Sequence, residues 1–463
     1  MSQKSNGESL QGVLSESTEE IAELLRSAAH PARVRILALL LKGEREFSRL
    51  MQLTELSKTA LANHLNQLIA KRLVEKAARG EYSLTADGKA LLTAAATMYK
   101  ESAQREKQRL ELLSRRYTEG LLEGKKLNKK LVNKKVEFQP CWLTYTGAIA
   151  GSLKALGTDC DTADVGGCSG YAFLINVSRG TTCPSGPTAL PAATWGQIHK
   201  GTESLGWSLK WVLASHSSYP AKEGKPSEKE IELARKMFEG VKHVIDEQDR
   251  PVVLWGLVVP EYGIVKGYEG DCYLTSTFRS VAGQPETPVL YYDLKAPGCL
   301  EAFFFKDKIK QDQAKVDKEA LERAINFASA KMPVLDNYVS GPAALDEWAN
   351  VLEKCPKDKQ NYMGNSYVGV CVCEGRHMCA EFLKRLARKY AGKQSKHLKG
   401  AAQSYDKGGA LMKQFTELFP FKFQGEMTQE DRKTGAEILR KVKLSEEEAI
   451  EHMKKALTQW EKA

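Results

Sequence analysis

Apolar residues recur three and four positions apart through the first hundred residues. Ile21, Leu24 and Leu25 share one face over 17–29, and Ser17 with Glu20 has the spacing of a capping box. Pro31 opens a second helix, with Val34, Ile36, Leu37, Leu40 and Leu41 as its buried stripe. A third helix covers 47–53. A fourth covers 57–71, where Leu61, Leu65 and Leu68 keep helical spacing. The period then changes, and 73–76 and 82–85 read as short strands around a basic Arg79-Gly80 turn. A long helix over 87–116 carries Leu91, Leu92, Met98, Leu110 and Leu113.

Helix, turn, helix and a two-stranded wing form a shape that fits DNA. The second helix of such a pair suits the major groove, and a basic wing reaches the neighbouring backbone. Ser57 caps the helix and Lys58 is placed for a phosphate. Thr59, Asn63, His64 and Gln67 face outward, able to reach base edges or phosphates. Arg79 can enter a minor groove or bind the backbone.

The pattern differs beyond position 138. Residues 117–138 include KKLNKKLVNKK and read as a linker, after which aromatics, glycines and cysteines become frequent. A helix is expected over 140–157. Strands follow at 171–177, 252–259, 263–268, 272–276, 289–293 and 302–305, interrupted by helices at 194–206 and 227–248. From position 318 the pattern is helical again, over 320–330, 343–352, 379–389, 401–418 and 446–460. Clustered strands with segregated helices point to an α+β unit. The expected fold is multidomain, with an α-rich winged helix first. An α+β domain follows, with an added helical subdomain. The boundaries are a disordered tail over 1–16, the winged helix over 17–86, a long helix and basic linker over 87–137, the α+β domain over 138–317 and the helical subdomain over 318–463.

Composition narrows the setting. Of 463 residues, 42% are hydrophobic and 27% charged, which suits a water-soluble globular chain. The longest apolar run, Ile36 to Leu41, stops at Lys42, too short to cross a bilayer. The polar start MSQKSNGESLQG lacks a secretion signal. A cytoplasmic location without membrane contact is expected. Ten cysteines are then expected to be reduced thiols rather than a disulfide frame. The net charge is +10, and residues 99–138 hold 12 Lys/Arg against 6 Glu, or +6 of it. Positive charge beside a DNA-reading module favours phosphates.

The residues His30-Pro31-Ala32-Arg33-Val34-Arg35-Ile36-Leu37, Leu56-Ser57-Lys58-Thr59, His64-Leu65 with Leu68, Leu73-Val74, Arg79-Gly80, Tyr82 and Leu84 resemble the ArsR-type winged-helix regulators. The resemblance spans 18–116. It implies a homodimer that places 57–67 of each subunit in a major groove of double-stranded operator DNA. Where that family usually has serine, this chain has Asn63, which can pair with adenine. Metal-sensing members carry Cys-x-Cys near the recognition helix, or His and acidic clusters on the last helix. No cysteine precedes Cys141, so sensing is expected in the C-terminal portion.

That portion, over 138–460, resembles the group typified by the N-terminal domain of butirosin biosynthesis protein H, related to the papain-like C39 peptidases. The segments that carry the likeness are Gln139-Pro140-Cys141, the run from Gly167 to Phe173, Leu205-Gly206-Trp207, the stretch from Pro260 to Tyr268, and Gly341-Pro342-Ala343-Ala344-Leu345-Asp346-Glu347-Trp348. The resemblance implies Cys141 at a helix N-terminus and Gln139 as an oxyanion donor. It puts Glu261 where those peptidases have the catalytic histidine. A carboxylate cannot supply the imidazolium that holds a thiolate, so the dyad reads as broken. His199 and His216 lack triad-like neighbours. A pocket without turnover is then expected, lined by Cys141, Ser169, Tyr171, Glu261 and Tyr262. Trp195 and Trp207 could close it or simply fill the core. Aromatics with one carboxylate suit a small amine or cation.

Cys371, Cys373, His377 and Cys379 are the nearest approach to a metal cluster. They fall on an expected strand-to-helix passage, from which all four could not face one ion. No metal or cofactor is therefore expected. The function expected is a transcription regulator that binds operator DNA and an unknown small-molecule effector, and not an enzyme. The alternatives are an active cysteine acyltransferase or peptidase tethered to DNA, and a metal- or thiol-redox-sensing repressor.

Overall fold

The computed structural model describes residues 15–41, 43–77, 80–101, 128–214, 226–296, 299–356, 361–422 and 424–460. Two compact units divide the chain, Met1–Lys126 and Leu127–Ala463.

The first unit is built from α1 (Thr18–Ala28), α2 (Pro31–Leu40), β1 (Arg45–Glu46), α3 (Phe47–Thr54), α4 (Lys58–Ala70), β2 (Val74–Lys76), β3 (Glu81–Leu84) and α5 (Ala86–Glu101). Ile36, Leu37, Leu40, Leu50, Leu61, Leu65 and Leu68 form its core, closed by Leu73, Val74 and Tyr82 from the wing. The strands pair antiparallel in the order β1-β3-β2. Val34 and Leu41, expected in the core, are exposed. The face that turns inward is set by Ile36, Leu37 and Leu40, and Val34 lies across the helix from it. Ser17 makes no side-chain cap, because its backbone is not extended as a cap requires. The expected helix over 87–116 is described as far as Glu101. Its remainder and Arg79 lie outside the described residues, as do His216 and residues 1–14 of the tail expected over 1–16, whereas Ser15 and Glu16 are helical.

Helix α5 crosses β2 at Gly88. A Cβ there would lie 2.1 Å from the Leu73 carbonyl oxygen, which also accepts a hydrogen bond from Thr85 N. Gly88→Ala should therefore destabilise this unit by roughly 2 kcal/mol, the usual cost of forcing a backbone apart. Calorimetry of the full chain checks this, and an unfolding profile unchanged by the substitution would contradict the tight crossing.

The second unit begins before position 138. Residues Lys129–Leu131, expected in the linker, form strand β4 against β8 (Tyr262–Glu269). Val132, Val136 and Phe138 are buried. Two of the lysines that resemble a linker are paired instead. Lys129 Nζ lies 3.1 Å from Glu269, and Lys130 Nζ donates to the Asp246 carbonyl. The sheet runs β10 (Val289–Leu290), β9 (Cys272–Ser276), β8, β7 (Val252–Trp255), β11 (Glu301–Lys308) and β6 (Trp207–Leu213), antiparallel throughout.

Helix α6 (Thr144–Ala155) is buried along nearly its whole length. Two glycines let the preceding chain cross it. A Cβ at Gly147 would stand 2.4 Å from the Gln139 carbonyl, and one at Gly151 2.1 Å from the Glu137 carbonyl. The expected helix over 140–157 thus starts at Thr144, and Cys141 sits in the turn before it. The expected strand over 171–177 is a 3-10 turn (Tyr171–Phe173) followed by β5 (Asn176–Ser178). The other helices of this region are α7 (Thr162–Ser169), α8 (Ala192–Glu203), α9 (Glu228–Gln248) and the short α10 (Phe278–Val281).

Helix α11 (Gln313–Ala328), β12 (Tyr338–Ser340) and helices α12 (Pro342–Lys354), α13 (Tyr362–Lys389), α14 (Gly392–Leu418) and α15 (Gln429–Trp460) complete the unit. Leu383, Leu398, Tyr405 and Met453 from these helices share one apolar core with Ile264 and Phe303 of the sheet. The sheet and the helical tail therefore form one unit.

Candidate functional site

The polar side of α4 is open. Ser57 Oγ accepts a hydrogen bond from Ala60 N at 3.3 Å and caps the helix. Leu61, Leu65 and Leu68 turn inward, and Ser57, Lys58, Thr59, Asn63 and Gln67 are exposed. His64 is half-buried, with its ring centroid 4.6 Å from that of His30. Burial holds its pKa below the usual histidine range, and His30 and Arg33 push it the same way. Gln67 accepts a hydrogen bond from the Arg33 guanidinium. Two of the expected reading residues are therefore tied to the start of α2, and among the described residues Thr59 and Asn63 are the exposed pair with no side-chain partner. Asn66 is also exposed and was not anticipated.

The cysteine site centres on one carboxylate that sequence reasoning missed. Glu374 Oε2 accepts from Trp142 N at 2.6 Å and Leu143 N at 3.1 Å, and stands 3.2 Å from Cys141 Sγ. Cys141 Sγ also meets Thr146 Oγ1 at 2.8 Å and the Leu143 carbonyl at 3.2 Å. The Trp142 and Leu143 amides, in front of α6, are already taken. Burial pushes the Cys141 thiol well above its ordinary pKa, and the Glu374 charge adds to that. A nucleophilic cysteine needs the reverse. Gln139 does not face the thiol, since its Nε2 donates to the Glu137 carbonyl at 3.3 Å.

Glu261 also reaches the start of α6. Its enclosed carboxyl accepts hydrogen bonds from Thr144 Oγ1 and Tyr367 Oη. Burial raises its pKa to about 7, against the opposing pull of those two bonds. A raised acid pKa favours the folded state fully below the unfolded value of 4.5, and the advantage fades as pH rises through 7. Relative to Glu261→Gln, the wild-type chain should lose up to about 3 kcal/mol between those limits. Urea unfolding of both proteins across that range measures the difference. A pH-independent gap between them would contradict the buried acid.

The other expected pocket residues pack into the interior. Ser169 accepts from Tyr171 N at 3.2 Å, and Tyr171 Oη donates to the Pro187 carbonyl at 2.8 Å. Tyr262 Oη donates to Glu301 at 2.9 Å, and the same carboxylate accepts from Trp211 Nε1 at 2.6 Å. Trp195, Tyr145, Tyr171 and Tyr262 form a buried ring cluster. His199 is buried against Trp211 and Phe303, and burial depresses its pKa to about 3. It is a neutral packing ring. Trp207 is buried beneath Arg250 and Lys308, with its Nε1 on Thr158 Oγ1.

Cys371, Cys373, His377 and Cys379 lie on the continuous helix α13, not on a strand-to-helix passage. Cys371 and Cys379 are buried, and Cys373 and His377 border a cavity. Among the described residues, no three His, Cys, Asp or Glu are grouped to hold a metal ion. Among the described residues no disulfide is formed. The cavity measures about 480 Å³. Its wall includes Trp142, Cys373, Glu374, His377, Tyr405, Asp406, Lys413 and Thr416.

Residues 30–76 match the family described as bacterial regulatory protein, arsR family. The matched stretch runs from the cap of α2 to the end of β2 and contains all of α4. It supports a DNA-binding transcription regulator. No characterised protein matches the chain. Among the described residues, no helix is long and apolar enough to cross a membrane.

Proposed function

We propose that the protein is a cytoplasmic, homodimeric transcription regulator that reads operator DNA with α4 and binds a small-molecule effector in its C-terminal unit. The open polar face of α4, inside the stretch that matches the ArsR family, carries the reading. Thr59 and Asn63 contact base edges, and Lys58 neutralises a phosphate. Two such helices on one duplex read a palindrome with half-sites about one helical turn apart. Selection of genomic fragments on the full-length protein, followed by footprinting, tests this. A paired footprint is expected, and retention without sequence preference would contradict it.

The C-terminal unit is a papain-like domain that has kept the architecture and lost the chemistry. Support comes from a cysteine placed before a buried helix, an antiparallel sheet against that helix, and Glu261 at the position of the base. Burial and Glu374 oppose the alternative of an active hydrolase, because together they favour the protonated thiol, and Glu374 occupies the Trp142 and Leu143 amides. What remains is a binding unit with a cavity beside the former nucleophile. An effector that prefers one geometry of the dimer shifts operator affinity by its difference in affinity for the two states.

A further inference from the structure

We infer that the cavity beside Glu374 takes a small organic cation, an ammonium group carried on an apolar or aromatic body. The inference rests on the effector-binding reading above and gives that ligand a chemical class.

The Glu374 carboxylate is anchored, and among the described residues it has no ion-pair partner, although His377 on the same cavity wall pulls its pKa down. Its Oε2 accepts from two backbone amides and faces the Cys141 thiol. Among the described residues none donates to Oε1, and no Lys or Arg forms an ion pair with either oxygen. A half-enclosed charge without a counter-ion is costly unless something neutralises it. Burial accordingly pushes its pKa up. A proton is one remedy, and a cation entering the cavity is the other.

The surroundings favour the cation. Trp142 borders the same space and keeps 39% of its surface exposed. Its ring is braced by Phe421 at 4.8 Å and Tyr367 at 6.4 Å between centroids. A fixed aromatic ring beside a fixed carboxylate is the usual arrangement for recognising an ammonium group. Asp406, the second carboxylate of the wall, is already met by Lys384 at 3.0 Å. Lys413 also borders the cavity. It could meet a second, acidic end of a ligand. An anion alone would have to approach an immobile carboxylate.

Calorimetric titration of the full-length protein with 2-phenylethylamine, and separately with phenylacetate, tests the class. Saturable binding of the amine is expected, with none of phenylacetate. Glu374→Gln, which can still accept from the two amides, should weaken the amine by roughly tenfold or more, as a lost charge-assisted hydrogen bond does. Binding to the wild type should weaken as the pH is lowered and Glu374 takes up a proton. Circular dichroism establishes that the variant is folded. Absence of amine binding, phenylacetate binding as tightly, or an amine affinity indifferent to Glu374→Gln would each overturn the inference. DNA retention measured with and without the amine separates the two readings. An amine that binds through Glu374 and leaves DNA retention unchanged supports the ligand class and counts against the effector role. An acidic compound that binds there and changes DNA retention does the opposite.

Discussion

Replacing Asn63 with alanine should lower sequence-specific DNA retention by roughly ten- to a hundredfold, the range of one lost bidentate base contact. Asn63 stands on the exposed side of α4, between core residues Leu61 and Leu65. Its side chain supports nothing else in the described structure, so thermal unfolding should not move. Lys58→Ala should act differently. It should weaken all sequences alike and reduce the salt dependence by about one counter-ion. His64→Ala should be the milder base-face change, because the ring is already partnered with His30. Competition gel shifts across salt concentrations distinguish the three variants. An Asn63→Ala protein with unaltered specificity would remove α4 from the reading surface.

Cys141 should resist alkylation by iodoacetamide at neutral pH, and Glu374→Ala should accelerate it by roughly tenfold or more. The thiolate is the reactive form, and each unit of pKa is a factor of about ten in its population. Removing Glu374 takes away a charge 3.2 Å from the sulfur and frees the Trp142 and Leu143 amides to face an anion. Both changes favour the thiolate. Burial remains, so the variant should not become a hydrolase. Mass mapping of the labelled peptide, with Cys141→Ala as control, reads the rate at this one residue. Rapid wild-type labelling below neutral pH would instead point to a competent nucleophile.

The N-terminal unit was legible because local signals and packing agree there. Leu61, Leu65 and Leu68 at helical spacing, Ser57 as cap and a short wing each point to the same arrangement. The free surface was only partly legible, since the partners of His64 and Gln67 lie on α2, more than thirty positions earlier. Strand β6 carried its own signal. Trp207, Leu209, Trp211 and Leu213 alternate with other residues, a period of two that a helix reading ending at 206 passed over. Helix α13 was broken in the expectation because NSYVGVCVCEG is rich in glycine, valine and cysteine, all modest helix formers. Tertiary contact overrides that preference. Gly369 lies against Phe415, and Gly375 against the Ala172 carbonyl.

The cysteine site shows a different limit. Cys141 and Glu261 stand out only through the resemblance to the C39 peptidases, which the segments around a helix and a strand carry. Glu374 lies more than two hundred positions from Cys141 along the chain, on a helix whose pattern gives no hint of it. Its role depends on how α13 meets the start of α6, and no local spacing encodes that meeting. The same is true of the cavity, whose wall combines Trp142 with residues of α13 and α14.

Photocrosslinking from position 63 tests the DNA reading most directly. A photoreactive side chain there, in the full-length protein on its selected fragments, should mark bases in the major groove. The marks should fall at paired positions about one helical turn apart. Fragments retained with no crosslink from position 63, or crosslinks scattered without regard to sequence, would show that α4 does not read DNA.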